Sequence, residues 1–251
     1  MTRSLLIRGM LVGLLAGLLA FVFARIFGEP QVQHAIDFED YLAKLHHEPA
    51  EAELVSRGMQ RSLGLLTGTV FMGIALGGLF SLVYAYAYGR IGNMSPRLTA
   101  LVLAALSFCS IVLVPFTKYP ANPPTVGNPD TIDRRTVLYF LMIAISILAF
   151  IGAQRAWRSA TPRLGSWNAA IVGGVVFLVV IGAAELILPR IHETPQGFPA
   201  DVLYRFRIAS LGINLTLWTT IGLGFGAAAQ RLLAPAAARS GAPTAEPGVT
   251  R

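Results

Sequence analysis

The chain has 251 residues, of which 54% are hydrophobic and 13% charged, with a formal net charge of +7. Soluble domains carry roughly a quarter charged residues, so this composition cannot cover a water-facing surface and excludes an ordinary soluble globule. In a membrane protein the surplus of Lys and Arg belongs to cytoplasmic loops beside anionic lipid, so no nucleic-acid partner is expected and the lipid bilayer is the first partner.

A spanning helix needs about 20 mainly apolar residues, because the hydrocarbon core is about 30 Å thick and each residue rises 1.5 Å. Six segments meet that standard, at approximately 5–27, 63–88, 98–116, 136–153, 169–188 and 208–229. They predict an all-α, polytopic integral membrane protein, a bundle of six transmembrane helices occupying residues 1–229. The runs are apolar throughout and lack the alternation of barrel strands. The first segment reads as an anchor, since its apolar run exceeds a signal-peptide core. Val22-Phe23-Ala24 nevertheless offers a weak cleavage site, and cleavage there would leave five helices. Residues 230–251, rich in Ala, Pro, Gly and Thr, read as a disordered cytoplasmic tail.

Glycines recur every fourth residue at Gly9, Gly13 and Gly17, at Gly64 and Gly68, and at Gly73 and Gly77, a spacing that lets helix backbones approach closely. With the N-terminus inside, the basic residues divide evenly between the two sides. Short loops carry the positive-inside signal, so the compact Arg90 to Arg97 and Arg155 to Arg163 loops decide the orientation, and both termini are expected in the cytoplasm.

All four histidines fall on the predicted outer side, His34, His46 and His47 in the first loop and His192 in the last. The first loop also carries Asp37 and several glutamates, so imidazole and carboxylate donors occur together as cobalt, nickel or zinc would require. His34, Asp37, His46, His47 and His192 are therefore the candidate outer metal ligands. No HxxxH or HExxH spacing joins them, and a solvated acidic loop with incidental histidines is the competing reading. If Ile36 to His46 is helical, Phe38, Tyr41, Leu42 and Leu45 share an apolar face that would lie on the membrane surface.

Within the predicted spans the one carboxylate is Glu185, which could line a cation path or pair with Arg190. Asn214 could add an oxygen ligand to that path or hydrogen-bond between helices. Cys109, the one cysteine, excludes an intramolecular disulfide and CxxC-type sites; it and Met72 are expected to pack. Four prolines within 120–129 make the segment around Lys118, Tyr119, Pro120, Asn122, Pro123 and Pro124 stiff and short of backbone donors, fit to cap or gate a cavity or simply to connect two helices. No nucleophile elbow, Walker motif, dinucleotide loop or metalloprotease helix is present, so the chain is not read as an enzyme and no permanently bound cofactor is expected.

The run from Val114 through Pro124, followed by Gly127-Asn128-Pro129-Asp130-Thr131-Ile132 and Arg134-Arg135-Thr136, resembles the CbtA-type cobalt transporter subunits. So do Phe27-Gly28-Glu29-Pro30-Gln31-Val32, Gly77-Gly78-Leu79-Phe80, Tyr88-Gly89-Arg90, and Phe198-Pro199-Ala200-Asp201 with Arg205-Phe206-Arg207 and Ser210-Leu211-Gly212. The resemblance implies a multi-pass protein of the bacterial inner membrane, linked to cobalamin metabolism. It implies Co2+ as transported substrate, with Ni2+ or Zn2+ suited to the same donors, and a small single-span CbtB-type partner. A non-transporting scaffold for a metal-binding partner is the alternative, with the Gly9, Gly13 and Gly17 ridge as its docking face.

Overall fold

The structure, a computed structural model, describes residues 2–47 and 55–233. Among these residues there is no strand, and five helices, rather than the six expected, are long and apolar enough to cross a membrane. They are α1 (Thr2–His46), α2 (Arg57–Ala87), α3 (Pro96–Lys118), α4 (Pro129–Ile187) and α5 (Ala200–Leu233). Residues beyond Leu233, including the expected tail from there on, lie outside the described residues.

The count differs because the fourth and fifth predicted segments form one element. The basic stretch holding Arg155, Arg158, Pro162 and Arg163 reads as a loop in sequence, yet it stays helical, and only Gly165 (φ 73, ψ 165) leaves helical geometry. At that residue α4 doubles back. Phe150 and Phe177 meet with ring centroids 5.9 Å apart, whereas a straight helix would hold them about 40 Å apart at 1.5 Å per residue. Both ends of α4 therefore lie at the same end of the bundle.

Proline explains two irregular turns. Pro30 and Pro115 lack an N–H and crowd the carbonyl four residues earlier, and each is preceded by a π-helical stretch, Ala24–Gly28 and Phe108–Leu113, that relieves the clash. Pro30 therefore does not end α1, and the helix continues to His46. The 36–46 segment is thus not a separate surface helix. Phe38 packs edge-on against Phe198, centroids 5.2 Å apart, beside buried Ala35, Val126 and Val202. The Ile111 carbonyl, left without its usual donor by Pro115, accepts from the Tyr139 hydroxyl at 3.1 Å and so ties α4 to α3.

Lipid tails are as apolar as leucine, so burial of aliphatic surface does not itself drive these helices together, and close packing must do so. α1 and α2 supply it as an antiparallel pair. A Cβ placed on Gly9, Gly13 or Gly17 would come within 2.4, 2.1 and 2.5 Å of the Gly77, Gly73 and Thr69 carbonyl oxygens. The glycine ridge is therefore covered by α2 and is not a docking face for a partner. Gly68, by contrast, faces open space, and the one neighbour near Gly64 belongs to α2 itself. α5 runs antiparallel to α1 and α3, with Gly224 against Val12, Gly212 against Phe23 and Gly222 against Ala104. Tyr84, Phe80, Phe225 and Trp218 fill the shared core with edge-on aromatic contacts, and the Tyr84 hydroxyl donates to the Pro96 carbonyl at 3.1 Å.

These antiparallel pairings sort the molecule into two ends. The start of α1, the α2–α3 turn and the last turn of α5 share one, here the terminal end. The outer half of α1, the 119–128 loop and the 188–199 segment share the other, the cap end.

Candidate functional site

The proline-rich loop closes the cap end through four side-chain ties to three elements, α1, α5 and the 188–199 segment. Tyr119 donates to the Pro189 carbonyl at 2.9 Å. Burial first and the Glu185 charge second raise the Tyr119 phenol pKa, so it remains a protonated donor near neutral pH. Thr125 donates to the Ala35 carbonyl and to Glu39 Oε2, each at 3.1 Å. Its φ of 74 is one that a β-branched residue rarely adopts, costing about 1–3 kcal/mol, and the two bonds to α1 hold it there. Arg207 of α5 donates through Nε to the Ala121 carbonyl at 3.4 Å and through Nη2 to Asn122 Oδ1 at 3.0 Å.

Glu193 supplies the fourth tie, from the 188–199 segment. It accepts from the Asn128 backbone N–H at 2.9 Å and from the Thr131 hydroxyl at 2.6 Å, and Arg135 Nε lies 3.5 Å away. These contacts, Thr131 foremost and then Asn128, hold its carboxyl below the usual carboxylate range. Gly127, at φ 137, lets the Arg135 guanidinium lie against the loop where a Cβ would sit 2.3 Å from Nη1.

Beneath the loop is a cavity of about 840 Å³. Arg207, Ser210 and Asn214, spaced at three and four residues, line it with one polar face of α5 that leads from the loop toward the interior. Thr136 and Tyr139 of α4 and Val112 and Phe116 of α3 complete the inner wall. A smaller cavity of about 250 Å³ adjoins it, bounded by Thr117, Lys118, Glu185, Arg190 and His192.

The candidate residues divide between these places. Lys118, Tyr119, Pro120, Asn122, Pro123, Pro124, His192 and Asn214 all border the large cavity. Glu185 borders only the small one. It accepts from Thr117 Oγ1 at 2.6 Å, its backbone carbonyl accepts from Lys118 Nζ, and Lys118 lies 3.9 Å from the carboxylate. The Lys118 side chain is 5% exposed and takes the place expected for Arg190 as the partner of Glu185. Asn214 donates to the Ser210 carbonyl of its own helix at 3.0 Å, leaving its oxygen as the group available to a ligand.

His34 and Asp37 are exposed on the outer half of α1, where Gln33 donates to Asp37 Oδ1 at 2.9 Å. His46 and His47 end that helix, His47 at φ 54. Among the described residues no three His, Cys, Asp or Glu side chains gather as a metal-binding group. Arg207, Ser210, Arg135 and Glu193 are cavity residues that sequence reasoning did not select. The Arg207, Ser210, Asn214 spacing was the available signal.

A family model described as probable cobalt transporter subunit (CbtA) matches residues 2–230. No curated protein and no solved structure matches the chain.

Proposed function

Because the chain belongs to the CbtA family of probable cobalt transporter subunits, we propose that it forms the membrane pathway of a cobalt uptake system serving cobalamin metabolism, entered through the capped cavity. The family is one of transporter subunits and not of enzymes. The observation that carries the reading is a polar face, Arg207 to Asn214, descending from a tied-down loop into an otherwise apolar bundle. Polar groups at membrane depth are costly and mark substrate paths.

In this account His34, Asp37, His46, His47 and His192 concentrate metal at the cap end, which faces outward. The terminal end, with its short arginine-bearing turns, faces the cytoplasm of a bacterial inner membrane. Metal leaves the cap end past Asn214, and Glu185 becomes available when Lys118 swings away from it. The membrane potential favours inward movement of a cation by about 2.3 kcal/mol per charge per 100 mV, which supplies a drive without a nucleotide-binding domain. Cobalt is the substrate, and imidazole with carboxylate also suits Ni2+ and Zn2+. A small single-span CbtB-type partner completes the system.

The test is cobalt accumulation at limiting concentration in cells lacking other uptake routes. Expression of the chain with its partner restores it, and replacing His34, His46, His47 and His192 together with alanine lowers it severalfold. Undiminished uptake by that variant and by Asn214→Leu would remove both the histidines and the cavity from the pathway. A scaffold role remains the alternative, and with the glycine ridge covered it needs another docking face.

A further inference from the structure

We propose that the capped cavity binds a small polycarboxylate anion on the guanidinium of Arg207. The charge inventory points there first. The large cavity is lined by Lys118, Arg135 and Arg207, and Glu193 is its one carboxylate among the described residues. Lys118 is matched by Glu185 and Arg135 by Glu193, each at ion-pair distance. Arg207 is matched by no carboxylate among the described residues; its acceptors are the neutral oxygens of Ala121 and Asn122. Arg190, on the adjoining cavity, adds a further positive charge. A cleft with a surplus of one sign concentrates ions of the other, so these walls attract an anion and repel a bare divalent cation.

The geometry selects a carboxylate. Nε and Nη2 form the side-on edge of a guanidinium, where a carboxylate engages with two parallel hydrogen bonds. Here that edge holds two separate sp² oxygens, the Ala121 carbonyl and the Asn122 amide, in the places a carboxylate would fill. Nη1 has no hydrogen-bond partner among the described residues. An incoming carboxylate can therefore take up Arg207 from the open cavity and displace the loop from its α5 anchor. Two bonds from the guanidinium to neutral oxygens, one of them long, give way to a bidentate pair in which donor and acceptor are both charged. The ligand thus opens its own cap.

A polycarboxylate has two sources, a free organic acid or the same acid carrying a metal ion. The second rests on the transport reading: the metal would arrive as an anionic carboxylate complex and be handed from the chelator to the path beyond. Ser210 and Asn214, one and two turns below Arg207 on the same face, are placed to receive it.

The experiment is calorimetric titration of the purified full chain in nanodiscs with three probes: citrate, citrate loaded with Co2+, and cobalt chloride alone. Citrate is expected to bind with or without metal. Arg207→Gln should weaken it roughly 10- to 100-fold, the range for losing a charged hydrogen-bonded pair. Arg207→Lys, which keeps the charge and loses the fork, should recover part of the loss. Asn122→Ala removes the competing loop acceptor and should tighten citrate binding severalfold, a gain that a misfolded variant would not give. Tighter binding of the loaded form supports delivery of a complex, and equal binding supports recognition of the acid itself. Binding of cobalt chloride with none of citrate overturns the proposal and leaves the transport reading standing. Binding of no probe overturns both.

Discussion

Replacing Gly13 with alanine tests whether helix contact in this bundle rests on the glycine ridge. The new methyl carbon would lie 2.1 Å from the Gly73 carbonyl oxygen, against about 3.4 Å for an ordinary contact, so α1 and α2 must part by about 1.3 Å. Neither atom can turn aside, because one is backbone and the other is fixed by the helix. Over-packing of this kind costs about 1–3 kcal/mol. For a chain of this length that corresponds to a Tm lower by several degrees, taking about 2–4 °C per kcal/mol. Gly68→Ala is the matched control. Its Cβ meets nothing within 4 Å, so it gains the same helix propensity, about 1 kcal/mol, with no clash. Thermal unfolding of the two purified variants in detergent isolates the packing cost as their difference. A Gly13→Ala protein that melts at or above the Gly68→Ala protein would refute the close-packing account.

The cap should respond to acid in a defined direction. The Glu193 carboxyl titrates below its ordinary value of 4.5 in the folded protein, so its contribution to holding the loop is complete above that range and is lost as the pH falls through the folded value. Hydrogen exchange over residues 125–131 should therefore be slow and steady from neutral pH down to the carboxylate range, after correction for intrinsic rates, and accelerate below it. Glu193→Gln should exchange fast throughout and lose the pH step. At Gly165 the backbone occupies a region essentially reserved for glycine, so Gly165→Ala should cost about 1–3 kcal/mol, seen as a lower Tm. In a Cys109→Ala background, cysteines at positions 150 and 177 should cross-link readily, since the two rings they replace are in contact. Failure to cross-link would mean that α4 does not double back.

The long apolar runs were legible because lipid demands them, and each of the six lies, to within a residue, inside one of the five helices, the fourth and fifth sharing α4. The pairing of α1 with α2 was foreshadowed by Gly9, Gly13 and Gly17, but identical spacing at Gly64 and Gly68 carries no such contact. Four-residue periodicity places residues on one face and does not say whether that face meets protein or lipid. Two boundaries were missed for opposite reasons. The first apolar run ends near residue 27, yet a π-helical turn before Pro30 absorbs the clash and α1 continues to His46. Arg155, Pro162 and Arg163 looked like a loop, yet their backbone stays helical and the break falls on Gly165 alone.

Composition made the proline-rich loop stiff and left open whether it caps a cavity or simply connects two helices. Its contacts were not legible, because the anchoring residues come from distant segments. Arg207 and Asn122, or Glu193 and Thr131, meet only after the helices have packed. Glu185 was expected to line a cation path or to pair with Arg190, and in the structure its ion-pair partner is Lys118. No rule of spacing links residues on different helices.

The central claim, that metal enters through the cavity under the loop, is tested most directly by flux. Proteoliposomes holding the chain and its membrane partner are loaded with a cobalt-sensitive dye, and cobalt is supplied outside with citrate and an inside-negative potential. The wild type should carry cobalt, and Ser210→Trp, which sets a bulky ring on the polar face of the cavity of about 840 Å³, should lower flux severalfold while keeping the wild-type Tm. Unaltered flux through a stably folded Ser210→Trp protein would contradict the claim.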